Sequence, residues 1–226
     1  MSYNEISKVS GASADRERIF AMGIITIGRE FGSGGRELGK RLAEELGYAY
    51  YDKEIVAEIA KKSELDENYV EYALDGGMFR NFPIHFGRTF SYSPTLMANE
   101  SKLLADQNRL MREIAERGNC VIIGRAADVV LRDYNVFKLF IYSDMESKVK
   151  RCRQKGVEHE ELTDKALIRK IKKIDSDRKR YHGLISEIPW GDKRGYHLCV
   201  NTSGREIKAI VPLVAAYYRL WKDEQK

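Results

Sequence analysis

The chain has 226 residues, 43% hydrophobic and 32% charged, with a formal net charge of +5 and a pI near 8.9. That length can bury a full core, so one domain with an appendage is expected, and the composition is that of an ordinary soluble globular protein. No apolar run is long enough to span a bilayer and no charged–apolar–small leader opens the sequence, so a cytoplasmic protein without a membrane partner is expected. Residues 1–18 are polar and unpatterned and read as a mobile tail, which leaves 19–226 as a single domain.

Ile24 to Ile27 is a short β-branched run of the kind a buried parallel strand shows. A glycine-rich turn follows. Leu38, Leu42, Ala43 and Leu46 then recur at helical spacing up to a stop at Gly47. Tyr48 to Tyr51 predicts a second strand ending at Asp52, and Ile55, Val56, Ile59 and Ala60 mark another helix. The stretch from Gly76 to Pro94 is rich in Gly, Pro and aromatic residues, with Arg80, His85 and Arg88 among them, and reads as a long loop that is functional or flexible. Thr95 to Arg117 predicts one long helix closed by Gly118.

Cys120 to Arg125 is an apolar strand delivering a Gly-Arg pair, and Val136 to Tyr142 is another, with Asp144 placed to cap the helix after it. Thr163 to about Leu184 is helical and basic, His197 to Ser203 is a last strand, and Glu206 to Trp221 a closing helix. Strands alternating with helices imply a mainly parallel sheet, whose ligands bind beyond the carboxyl ends of its strands. Those ends carry the glycine turn, Asp52, Gly124-Arg125 and Asp144. The three cysteines, Cys120, Cys152 and Cys199, are too scattered for a disulfide framework or a metal site and read as small buried hydrophobes.

Phosphate needs close backbone N–H donors, and glycines at Gly32, Gly34 and Gly35, followed by a helix mouth near Arg36, supply them. The turn departs from G-x-x-x-x-G-K-[ST] and from its GKGT variant. Gly35 stands where lysine belongs, Arg36 follows it, Glu37 takes the place of the magnesium-linked threonine, and Arg29 replaces the opening glycine. The cation is expected from Arg36, with Arg29 as second choice, since arginine binds phosphate through a fork rather than as a point charge.

Four ordered blocks, "TIGREFGSGGRELGKRLAEELGYAYYDKEIV", "NCVIIGRAADVVL", "FKLFIYSDMESKVKR" and "IKKIDSDRKRYH…WGDKRGYHLCVNTS", resemble the cytidylate-kinase-like branch of the P-loop nucleoside monophosphate kinases. The resemblance runs from Ile24 to Val214. It implies a three-layer α/β/α P-loop NTPase fold with helical acceptor-binding and lid segments, the former an insertion at about 63–117 and the latter at about 156–192. In that family an Asp-Ser pair ends the second strand; Asp52 matches the aspartate and Lys53 does not match the serine. Its Gly-Arg-Asp corresponds to Gly124-Arg125, the arginine contacting the acceptor's phosphate, while Ala126 replaces the aspartate and Asp128 is the carboxylate placed to compensate. Residues that recognise the base do not carry over.

The resemblance implies an ATP-dependent phosphotransferase acting with Mg²⁺ on a small phosphorylated acceptor, CMP or dCMP first. Phosphoryl transfer asks for positioning and positive charge rather than covalent chemistry. Backbone amides from Ser33 to Arg36 would cradle the donor, and Arg178 and Arg180 on a lid would neutralise the moving group. Arg125 and Arg88 would hold the acceptor. Asp52 would meet magnesium through water or orient the acceptor, unless it merely caps the helix at Lys53. Trp190, Tyr181 and Tyr196 are expected to pack beneath the lid. The other readings are a different small acceptor on the same scaffold, or a nucleotide-binding protein with weak catalysis. No nucleic-acid partner is expected, because aromatics are not interleaved with the basic run from Lys148 to Arg180.

Overall fold

The computed structural model describes residues 23–63, 67, 94–154 and 162–225. The expected tail over 1–18, the aromatic loop with Arg80, His85 and Arg88, and parts of the expected insertion and lid lie outside them.

Apolar β-branched runs form the sheet: β1 (Ile24–Arg29), β2 (Ala49–Tyr51), β3 (Cys120–Ile123), β4 (Val136–Tyr142) and β5 (Leu198–Asn201). All five pair in parallel, in the order β2-β3-β1-β4-β5. β1 is the middle strand, with Ile27 opposite Ile123 on one side and Leu139 on the other. Its carboxyl end is therefore flanked by the ends of β3 and β4.

The alternation of side chains along β1 sorts the core into two layers. Ile25 and Ile27 face α1 (Gly35–Leu46) and the last helix, α7 (Ile207–Asp223), with Leu38, Leu42, Val211, Ala215 and Phe137 between them. Ile24 faces the opposite way, onto α2 (Lys53–Ser63), α3 (Pro94–Arg117) and the short α4 (Ala127–Val130). A sheet between two helical layers results. Each fully buried Ile or Leu there contributes about 1.5–3 kcal/mol of transfer free energy, which fixes the register that puts the turns at one edge.

Two further described helices, α5 (Met145–Gln154) and α6 (Asp164–Ile185), form a third, smaller cluster through Cys152, Leu167 and Ile171, with Phe31 of the glycine turn packed against it. Asp144 caps α5 as expected, its Oδ1 accepting from the Ser147 N–H at 2.7 Å. Thr163 caps α6 by accepting from the Ala166 N–H. Two short elements lacked a usable period in the sequence: α4, and a 3₁₀ turn at Lys193–Gly195. Trp190 and Tyr196 pack on Phe140, at ring-centroid distances of 5.2 and 4.9 Å. No described helix is long and apolar enough to cross a membrane.

Candidate active site

The turn after β1 carries Gly32 at φ +75° and Gly34 at φ +83°, left-handed values that a side chain rarely adopts. At Gly34 a Cβ would also lie 2.4 Å from the Ile207 side chain, so conformation and space both demand glycine. Gly34 is the N-cap of α1, and no side chain caps that helix. The positive end of the helix dipole thus opens onto the turn. Ser33 contributes differently from expectation. Its N–H donates to the Glu30 carbonyl at 3.3 Å and its hydroxyl to the same oxygen at 2.8 Å, so it braces the turn and its amide is already engaged.

The turn is held from below by ions. The Lys148 ammonium, 6% exposed, lies 2.8 Å from Glu30 Oε2 and 3.1 Å from Asp175 Oδ2. The other Asp175 oxygen accepts from the Phe31 N–H at 2.6 Å, and Glu30 Oε2 accepts from the Ser143 N–H at 3.1 Å. Burial pushes the Asp175 carboxyl above the usual carboxylate range, against the opposing pull of the Phe31 amide and of Lys148. From α6, Arg178 donates to the Arg29 carbonyl at 3.1 Å and lies 5.8 Å from the centre of the Phe31 ring. At the other rim, Thr202 donates its hydroxyl to the Ser33 carbonyl at 2.7 Å. Arg151 donates to the Thr202 and Arg205 carbonyls and to the Ser143 hydroxyl.

The result is a crevice lined by Gly32, Gly34, Gly35 and four arginines, Arg29, Arg36, Arg151 and Arg178. Beside it lies a smaller hollow over Gly124 and Arg125, walled by Arg29, Arg178, Tyr181 and Trp190. Gly124, Arg125 and Ala126 are three consecutive left-handed residues, at φ +68°, +57° and +48°. Such a conformation costs a non-glycine residue about 1–2 kcal/mol, and backbone strain of this kind concentrates at functional sites.

Three of the expected carboxylates are already engaged. Asp52 is 4% exposed, with its carboxylate on Arg36 and 3.8 Å from the Arg29 guanidinium. Its side chain therefore faces two arginines, and its own N–H is taken by the Glu54 carboxylate at 2.9 Å. Glu37 pairs with Arg41 at 3.1 Å and lines a neighbouring surface cleft instead of the crevice. Asp128 reaches the hollow, but its carboxylate is bonded to His182 Nε2 at 2.9 Å. Of the two expected lid arginines, Arg180 is exposed and lines neither cavity, whereas Arg178 lines both. Lys148, Arg151, Asp175 and Thr202 were not singled out by sequence reasoning. The first three belong to a basic stretch that looks solvated in one dimension, and only Thr202, at the end of the last strand, stood at a position that could have drawn attention.

The sequence model described as the cytidylate kinase-like family matches residues 24–204. The cytidylate kinase of Aeropyrum pernix is 27% identical over 176 residues, 76% of this chain and 85% of that protein. An uncharacterized protein from Eubacterium ventriosum has a similar structure, with a TM-score of 0.64 and 28% identity over 87% of this chain and 98% of that one. The shikimate kinase of Bacteroides thetaiotaomicron superposes with a TM-score of 0.53 at 15% identity, over 88% of this chain and 99% of that chain. That last likeness concerns the fold alone, the three-layer α/β/α arrangement of P-loop kinases.

Proposed function

The chain belongs to the cytidylate kinase-like family, and from that premise we propose that it transfers the γ-phosphoryl group of ATP to a small phosphorylated acceptor, CMP or dCMP first. The observation that carries this reading is the adjacency of two anion-suited cavities: the glycine-turn crevice and the Gly124–Arg125 hollow share Arg29 and Arg178 as walls. A donor phosphate on one side and an acceptor phosphate on the other would meet between two guanidinium groups. Positive charge there favours the charge that spreads over the moving phosphoryl group.

The roles come from placement. Amides at the mouth of α1 and the glycine turn would hold the donor phosphates. Arg178 would act from the lid segment, of which α6 is part, and Arg125 would hold the acceptor. A phosphate acceptor already carries a nucleophilic oxygen, so no general base is required of Asp52. That carboxylate, clamped by Arg36 and Arg29, would fix the two guanidinium groups. Magnesium would enter as part of the donor substrate, shielding the triphosphate's charge. Glu37 and Asp52 are each already paired with arginine, so neither is proposed as a direct ligand.

The test is ADP release in a coupled assay against a panel of nucleoside monophosphates, beside ATP binding by calorimetry. The reading expects CMP or dCMP to be the best acceptor. Transfer to no nucleotide would overturn the acceptor class, and tight ATP binding without any turnover would favour a nucleotide-binding protein.

A further inference from the structure

The glycine turn has exchanged residues between its first and seventh positions. In G-x-x-x-x-G-K a bare glycine comes first and lysine seventh; here Arg29 comes first and Gly35 seventh. The structure ties the two changes together. A Cβ on Gly35 would lie 2.6 Å from the Arg29 Cβ and 3.3 Å from that of Ile141. Real carbon atoms do not approach that closely in a packed interior, so the stem of Arg29 excludes a side chain at the lysine position. Beyond the stem, the Arg29 guanidinium passes through the space that a Gly124 side chain would fill, and ends 3.8 Å from Asp52 Oδ1. Its course runs from the crevice to the hollow, and it lines both.

Arg36 is a poorer match for the lysine's task. Its side chain is 56% exposed against 13% for Arg29, and its guanidinium is spent on Asp52 at the rim. A charge in a water-poor site acts more strongly on a phosphate than one facing solvent. We infer that Arg29 supplies the positive charge that lysine supplies in the standard motif, delivered from the end of β1 instead of from the helix, with Gly35 kept bare to admit it. Asp52 and the Gly124 backbone then position a cation between donor and acceptor. This inference rests on the phosphotransferase reading and names the residue that reading leaves open.

The experiment compares Arg29→Ala, Arg29→Gly, Gly35→Lys and the double variant Arg29→Gly/Gly35→Lys with the parent. It reads turnover with the best acceptor of the panel, inorganic tripolyphosphate binding by calorimetry, and thermal melting. Arg29→Ala is expected to keep its fold and lose turnover about 10²–10³-fold, the effect of deleting one preorganised charge partner. Gly35→Lys alone is expected to melt earlier, because its lysine meets the Arg29 stem. The double variant restores the glycine and the lysine at the motif's first and seventh positions and should exceed each single variant by about tenfold or more, a non-additivity that independent sites do not show. Arg29→Ala turnover within about threefold of the parent would overturn the inference, since such a loss is under 1 kcal/mol. A folded double variant no more active than Arg29→Gly would overturn it as well. If the parent transfers phosphate to nothing, tripolyphosphate decides the matter separately: lost affinity in Arg29→Ala upholds the role of Arg29 while the transfer reading falls, and unchanged affinity sinks both.

Discussion

The turn after β1 and the turn after β3 leave neighbouring strands, paired in register up to Ile27 and Ile123, yet they are held in place by different means. The first puts its left-handed positions on glycines and borrows its rigidity from elsewhere: Lys148 on α5, Asp175 and Arg178 on α6, and Thr202 beyond β5. The second forces Arg125 and Ala126 into left-handed backbone and gives the packing beneath it the task of keeping them there. The glycine turn is thus defined by side chains that reach it from three other elements, the turn after β3 by its own backbone. A turn made by glycines is supple and has to be braced, whereas a strained turn is already committed.

The most severe way to break this comparison is to remove the brace. Lys148→Met leaves the partly exposed Glu30 carboxylate without its cation and Asp175 with Arg178 alone, 3.7 Å away, and should cost about 3 kcal/mol, the low end of what breaking a buried pair costs. Urea denaturation measures it; a loss below about 1 kcal/mol would mean that the ions do not hold the turn. At the turn after β3 the corresponding change should strike activity and spare stability. Arg125→Ala is expected to reduce turnover about 10²–10³-fold while melting close to the parent, because alanine inherits the same backbone strain. A strongly destabilised Arg125→Ala would instead make that arginine structural.

Smaller and of opposite sign is Ala126→Gly. Relieving a left-handed alanine should raise stability by about 1 kcal/mol, net of the extra entropy that glycine gains in the unfolded chain. No gain in a urea midpoint would show that the turn is not strained.

The smallest effect lies away from both turns, at the pairing of β4 with β5, and serves as their control. His197 Nδ1 accepts from the Lys138 N–H at 2.9 Å, and burial, then the nearby Lys138 charge, hold this imidazole below its ordinary value. The fold therefore favours the neutral ring. Its contribution is complete above the ordinary histidine value and is lost as pH falls from there through the lowered one. The parent should lose more stability than His197→Asn across that window, with the ring half-exposed and the difference correspondingly small. Equal pH profiles would remove His197 from the account.

The same contrast explains what the sequence disclosed. Sheet order aside, the layers were legible because β-branched runs and helical periods are local signals: β4 was expected over Val136 to Tyr142 and lies there, and α3 begins one residue before the expected Thr95. The glycine turn was legible for the same reason. The brace was not, because a buried lysine and a solvated one look alike among the basic residues from Lys148 to Arg180, and burial depends on which helix comes to lie over the turn. Asp52 looked like a cap or a magnesium carboxylate, and its two arginine partners lie sixteen and twenty-three positions upstream. Nor does any composition rule announce that Arg125 and Ala126 adopt positive φ. The exchange between Arg29 and Gly35 was visible as two departures from a motif, and only their contact makes them one feature.

Crystals grown with ATP, magnesium and CMP test the central claim most directly. The expected density places the triphosphate on the mouth of α1 between Gly32 and Arg36, with the Arg29 and Arg178 guanidinium groups on its terminal phosphate and the CMP phosphate at Arg125. A triphosphate bound elsewhere on the chain, with the glycine turn carrying no phosphate at saturating nucleotide, would contradict it.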